Sequence, residues 1–202
     1  ISQRIARAPF NNYYDNLDHV LFRISHYLET ENNIRHLLGL NKKTENTADS
    51  PVFSQNQTPE TYLGYFRFAR FASPTKAVFD IAERFSFPKF LPANNWALSG
   101  LWHIAKEKII SHETGAKLQL NFTAGKVFLV LGAKNGQPIT ANVTLNGNPL
   151  GKSSGKDVID GKITIDQHRL YELVNQGSVQ DGILEITAQS EGLEAYAFTF
   201  GL

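Results

Sequence analysis

Tyr62, Tyr65, Phe66, Phe68 and Phe71 fall within ten residues of one another, Trp96 and Trp102 follow, and Arg67, Arg70, Asn94 and Asn95 are interleaved with them. This is chemistry suited to a sugar, whose ring offers an apolar C–H face and a rim of hydroxyls to an aromatic face flanked by amide and guanidinium donors. On that pattern Tyr65, Arg67, Trp96 and Trp102 are the candidate ligand-binding residues. The competing reading is that aromatics at this density fill a β-sandwich core, and for each Trp it weighs more heavily. Exposure separates the two, because truncating a core Trp to Ala costs ~3–5 kcal/mol whereas truncating a platform Trp leaves stability almost unchanged.

Other chemistry is weaker. Gly147 to Ser153 (Gly-Asn-Pro-Leu-Gly-Lys-Ser) has three residues between its glycines where a phosphate-binding loop has four, and it follows a hairpin signal rather than preceding a helix. The six histidines, at 19, 26, 36, 103, 112 and 168, include no His-Glu-x-x-His and no close His/carboxylate cluster of metal-ligand spacing. Ser99-Gly100 lacks the preceding glycine of a nucleophile elbow. Asp157 and Asp160 are only two nearby carboxylates, which hairpins use more often than calcium does. No metal or cofactor is expected. The sequence contains no cysteine, so none of its residues can supply a thiolate for disulfide exchange.

The elements that must carry these residues are mostly strands. Leu118, Leu120 and Phe122 alternate with polar residues, as do Val143 and Leu145, Ile163 and Ile165, and Leu184 and Ile186. Asn146-Gly147 and Asp160-Gly161 suit tight hairpins, Asp181-Gly182 reads as the entry to a further strand, and the run Lys126 to Leu131 reads as a central strand covered on both faces. Together they predict an antiparallel sandwich or barrel over residues 61–202. Upstream, residues 18–24 read as a strand, and Thr30 caps a helix whose apolar face is Ile34, Leu37 and Leu38 before Gly39. Residues 41–60, polar apart from Val52 and Phe53, read as a linker.

Twenty Lys and Arg against nineteen Asp and Glu, with no block of like charges, give no phosphate-tracking surface, so nucleic acid is not an expected partner. No apolar run reaches the ~18–20 residues that span a bilayer. No Met stands at position 1 or elsewhere, and the expectation is that the parent protein starts upstream.

Several phrases carry a resemblance. Thr58-Pro59-Glu60-Thr61-Tyr62-Leu63-Gly64-Tyr65, Asn95-Trp96-Ala97-Leu98-Ser99-Gly100 with Trp102, Gly115-Ala116-Lys117-Leu118, Arg169-Leu170-Tyr171-Glu172-Leu173, and Gly192 through Gly201 resemble, in the same order, the C-terminal domain of DipZ-type thiol:disulfide interchange proteins. Tyr27 to Leu38 resembles the last helix of the thioredoxin-like domain that precedes it there. The resemblance implies an antiparallel jelly-roll β-sandwich similar to a carbohydrate-binding module over 61–202, and the tail of a thioredoxin-like domain over 1–40. It also implies a periplasmic or extracytoplasmic place, tethered through upstream thioredoxin-like and membrane domains. The chain is then a non-catalytic module that binds a glycan or an envelope protein client. The alternative is the structural half of an oxidoreductase whose Cys-x-x-Cys lies before Ile1, with no ligand of its own.

Overall fold

The chain divides into two compact units, residues 1–52 and 53–202, and a computed structural model describes residues 57–202. The strand and helix expected between residues 18 and 39, and the thioredoxin-like tail to which they were assigned, lie outside the described residues.

The described residues form the antiparallel β-sandwich that the alternation predicts, in the jelly-roll class that the resemblance implies. Its strands are β1 (Thr61–Tyr62), β2 (Ala82–Phe85), β3 (Trp96–Ile104), β4 (Ile109–Ser111), β5 (Lys117–Ala133), β6 (Ile139–Leu145), β7 (Asn148–Pro149), β8 (Val158–Ile159), β9 (Lys162–Ile165), β10 (Arg169–Ala188) and β11 (Leu193–Gly201). The hydrogen-bonded order is β1-β11-β4-β3-β5-β10-β6-β9-β8, with β2 on β3 and β7 on β6.

Two long strands hold the layers together. β10 pairs along almost all of one edge of β5. The other edge is shared: β3 takes Lys117 to Leu120 and β11 takes Lys126 to Ala133. The sheet therefore splits halfway along β5, and the β10 register shifts there, between Asn175 and Gln180. Such bulges let a strand pass from one layer to the other.

The core lies between the layers. Leu118, Leu120 and Phe122 on β5, Leu184, Ile186 and Ala188 on β10, and Ile163 and Ile165 on β9 are all buried, while the residues between them are half-buried or exposed. That is the period-two pattern of the sequence made physical.

The turn signals divide. Asn146 and Gly147 (φ 53° and 74°) close the β6–β7 hairpin and Asp160 and Gly161 (φ 50° and 72°) the β8–β9 hairpin, in the positive-φ pairs such two-residue loops require. Asp181-Gly182 is a correction: it does not open a strand but lies inside β10, with Gly182 opposite Phe122. A Cβ on Gly182 would press on Phe122 and on the Leu145 side chain, so this glycine serves packing rather than a turn. In Lys126 to Leu131, Val127, Leu129 and Leu131 are buried and Phe128 and Val130 only half-buried. The strand is central, but one face is partly open. The linker also ends sooner than its composition indicates: Thr58 is buried and exchanges bonds with Thr123, its N–H donating to the carbonyl (2.9 Å) and its hydroxyl accepting from the Thr123 N–H (2.7 Å).

Candidate functional site

The aromatic-rich segment is pulled apart by the fold. Trp96 and Trp102 are both fully buried, which corrects their candidacy as a sugar platform. The Trp96 indole N–H donates to the Ala69 carbonyl (2.9 Å) and that of Trp102 to Ser99 (3.0 Å), so both polar handles are satisfied within the protein. Phe71 packs on Trp96 at 4.7 Å between ring centroids, Phe68 meets it edge-on at 5.6 Å, and Phe85 meets Phe71 at 5.6 Å. These aromatics cap the core. Of the interleaved amides, Asn94 accepts a bond from the Thr58 hydroxyl.

The other end of the segment opens on a cleft. Gly64 has no side chain because a Cβ there would overlap the backbone of Glu107. That close approach lets Tyr65 N–H donate to Ala105 O (3.0 Å) and Phe66 N–H to Lys106 O (2.9 Å), fixing the 3-10 turn Tyr65–Arg67 on the β3–β4 loop. Below it, the edge of β11 changes partner, from β4 at Glu194 and Ala195 to β1 at Ala197 and Phe198, and Tyr196 sits at the changeover. The result is a cleft of about 270 Å³ lined by Tyr62, Phe66, Arg67, Lys106, Glu107 and Tyr196.

Of the four sequence candidates, only Arg67 lines this cleft. Tyr65 is half-buried and turns toward Phe79, 5.0 Å between centroids. Lys106, Glu107 and Tyr196 were not singled out, because strand pairing across some ninety residues brings Tyr196 beside the β3–β4 loop. Tyr62 and Phe66 were in the aromatic group, and the glycine between them, Gly64, is the local signal that a second backbone passes close by.

The cleft wall is held from behind by a buried carboxylate. Glu194, 4% exposed, accepts from Lys108 Nζ at Oε1 (2.7 Å) and from Tyr196 Oη at Oε2 (2.8 Å). His168 Nε2 lies 2.9 Å from the same Oε2, and because a carboxylate only accepts, that nitrogen carries the proton. Gly132 lies opposite Glu194 in the β11–β5 ladder, and a Cβ there would collide with the His168 ring. Burial by itself would raise the Glu194 pKa, but the bonds from His168, Lys108 and Tyr196 outweigh it and hold the carboxyl below its usual range. Burial and the Glu194 bond push the Tyr196 phenol up, and the Glu60 bond (2.7 Å) does the same for Tyr62. Both tyrosines stay protonated at neutral pH. They suit hydrogen bonding and stacking, not nucleophilic or general-base work.

A second groove, about 390 Å³, is lined by Ala93, Asn121, Thr123, Asn146, Asp181 and Ile183. It has no aromatic face, and its polar groups are engaged: Asn121 donates to Leu91 O (2.8 Å), Thr123 to Asp181, and Asn146 accepts from the Ile183 N–H (2.8 Å). Asp157, weighed for calcium, accepts from the Glu172 N–H (2.8 Å) and pairs with Arg169 (3.0 Å). Among the described residues no three His, Asp or Glu side chains come together as a metal site would need.

The described residues thus present an antiparallel β-sandwich with an aromatic, cation-lined cleft. The chain belongs to the thioredoxin-like C-terminal domain family, whose pattern matches residues 58–201. It is 27% identical over 190 residues to Protein DipZ of Mycobacterium bovis and, equally, to Protein DipZ of Mycobacterium tuberculosis, covering 91% of this chain and 25% of each relative. The chain thus spans about a quarter of the length of these curated relatives. Among solved structures, a family two carbohydrate esterase from Cellvibrio japonicus superposes with a TM-score of 0.42 at 14% identity, over 52% of this chain and 30% of that one.

Proposed function

We propose that this chain is the non-catalytic accessory module of an extracytoplasmic, DipZ-like thiol:disulfide interchange protein, and that it docks its parent on an envelope glycan through the cleft between the Tyr65–Arg67 turn and Tyr196. The relatives supply the link to DipZ, and the absence of cysteine from all 202 residues puts any disulfide exchange elsewhere in such a parent. The observation that carries the glycan reading is the lining itself: the exposed Phe66 ring, two protonated tyrosines and two cations around one small concavity. A sandwich that only propped a neighbouring domain would need no such concavity. At about 270 Å³ the cleft is at the small end for ligand sites and takes one sugar ring, a chain end or a single residue within a chain.

The test is a glycan-array screen with the intact chain beside its Phe66→Ala variant. Binding that Phe66→Ala abolishes supports the proposal. Binding that survives Phe66→Ala, or no binding to any glycan, contradicts it and leaves a structural prop or a protein-docking module.

A further inference from the structure

We infer that the ligand of this cleft is an anionic glycan, its carboxylate, sulfate or phosphate group seated on Arg67 and Lys106; the inference rests on the glycan reading above and specifies its chemistry. Some cations of the fold are matched by carboxylates. Arg84 makes a two-pronged bridge to Glu113 (2.8 and 2.7 Å), Lys108 is held by Glu194, Lys117 by Glu185 (2.9 Å) and Arg169 by Asp157. Arg67 and Lys106 face the cleft and make no ion pair among the described residues.

Each is instead placed by an aromatic ring. The Arg67 guanidinium carbon lies 4.5 Å from the Tyr62 ring centroid, and Lys106 Nζ lies 5.3 Å from that of Phe66. Stacking on a ring face holds a guanidinium in one orientation while leaving the N–H groups along its edge available. Those groups only donate. A guanidinium edge matches two oxygens of a carboxylate, or of a sulfate or phosphate ester, with parallel charge-assisted bonds that a neutral hydroxyl cannot match.

The acceptors nearby do not balance this. Glu60 keeps its charge but lies outside the lining, where it accepts from the Tyr62 hydroxyl, and Glu194 is engaged by Lys108, His168 and Tyr196. Glu107 is the one remaining carboxylate in the lining, against two cations. A neutral sugar, whose hydroxyls both donate and accept, would leave the cations of this site without a charged partner. An acidic sugar neutralises them while its apolar C–H face lies against Phe66, whose ring is 65% exposed.

The experiment uses the whole 202-residue chain and three probes of similar length: an oligogalacturonate, a sulfated oligosaccharide and a neutral cello-oligosaccharide. Each is titrated calorimetrically at low salt and again at about 0.3 M salt. The expected result is binding of an acidic probe in preference to the neutral one, weakening with salt. Arg67→Ala should reduce affinity by at least roughly tenfold, and Arg67→Lys should restore part of it, because charge returns without the planar fork. The preferred acidic probe identifies the acid. Both replacements are on an exposed side chain, so an unchanged melting curve confirms the fold. Equal or tighter binding of the neutral probe, or acidic-probe binding that Arg67→Ala does not change, overturns this inference while leaving the glycan reading intact. Failure of all three probes to bind overturns this inference, while the glycan reading stands or falls on the array screen.

Discussion

Residues 62–71 hold two sets of aromatics with opposite fates. Phe68 and Phe71 turn inward onto Trp96, while Tyr62 and Phe66 turn outward around a cleft with Arg67. Residue type does not separate them, because both sets are aromatic and both sit beside arginines. What separates them is the backbone each meets. At Gly64 the chain meets the β3–β4 loop so closely that only glycine fits, which props the following turn outward. At Ala69 the carbonyl receives the Trp96 indole, which closes the other side. A platform and a core cap can therefore lie within ten residues, and the hydrogen-bond partner of the indole distinguishes them better than the aromatic pattern.

The sharpest way to break this contrast is to truncate one member of each set. Trp96→Ala is expected to cost ~3–5 kcal/mol, read as a large fall in the denaturation midpoint. Phe66→Ala and Arg67→Ala should stay within about 0.5 kcal/mol of wild type. A stable Trp96→Ala would mean that the core assignment is wrong.

Next in size is the clamp behind the cleft. Glu194→Gln leaves Lys108 and His168 without their anion. Losing a buried partner costs ~3–5 kcal/mol when both ions are buried, and because these two are partly solvated the expected loss is about 1–3 kcal/mol. The same carboxylate carries a pH signature. Its pKa is held below the usual 4.5, so its contribution is fully present above that value and is lost as pH falls through the folded pKa. Acid unfolding of Glu194→Gln should therefore begin from a lower stability and show a shallower slope below about pH 4.5, measured by urea denaturation at stepped pH.

A smaller effect is expected where His103 of β3 meets His112, just after β4. Nε2 of His103 and of His112 are both buried without a protein partner, and the rings lie 5.9 Å apart. Burial, helped by Lys134 and His103, holds the His112 pKa below its ordinary value of 6.5. The unfolded chain then takes up the proton first, so stability declines as pH falls through 6.5 and keeps declining until the folded ring protonates. His112→Gln should flatten the melting temperature between about pH 7 and pH 5, and an unaltered slope would remove this residue from the account.

Much of the sandwich is legible in the sequence, because alternation at Leu118 to Phe122 and the Asn146-Gly147 and Asp160-Gly161 turns are local signals. Asp181-Gly182 misleads for a local reason too: the dipeptide suits a turn, but Phe122 across the ladder requires a residue without a side chain. The cleft is less legible. Arg67 and its aromatic neighbours are contiguous, whereas Lys106 and Tyr196 join them only through the β1–β11 and β4–β11 pairings. No spacing rule reaches that far. Glu194 gives no sign in sequence that it is buried, since two of its three donors, Lys108 and His168, come from separate loops.

Ligand is expected at the Tyr62–Tyr196 cleft and not on the polar face around Asn121 and Asp181. An ¹⁵N NMR titration of the intact chain with an acidic oligosaccharide tests it most directly. Shifts are expected at the amides of Gly64, Phe66, Arg67, Lys106 and Ala197, with the Trp96 and Trp102 indole signals unmoved. Shifts centred on Asn121, Thr123 and Asp181, or a displaced Trp indole signal, would contradict that placement.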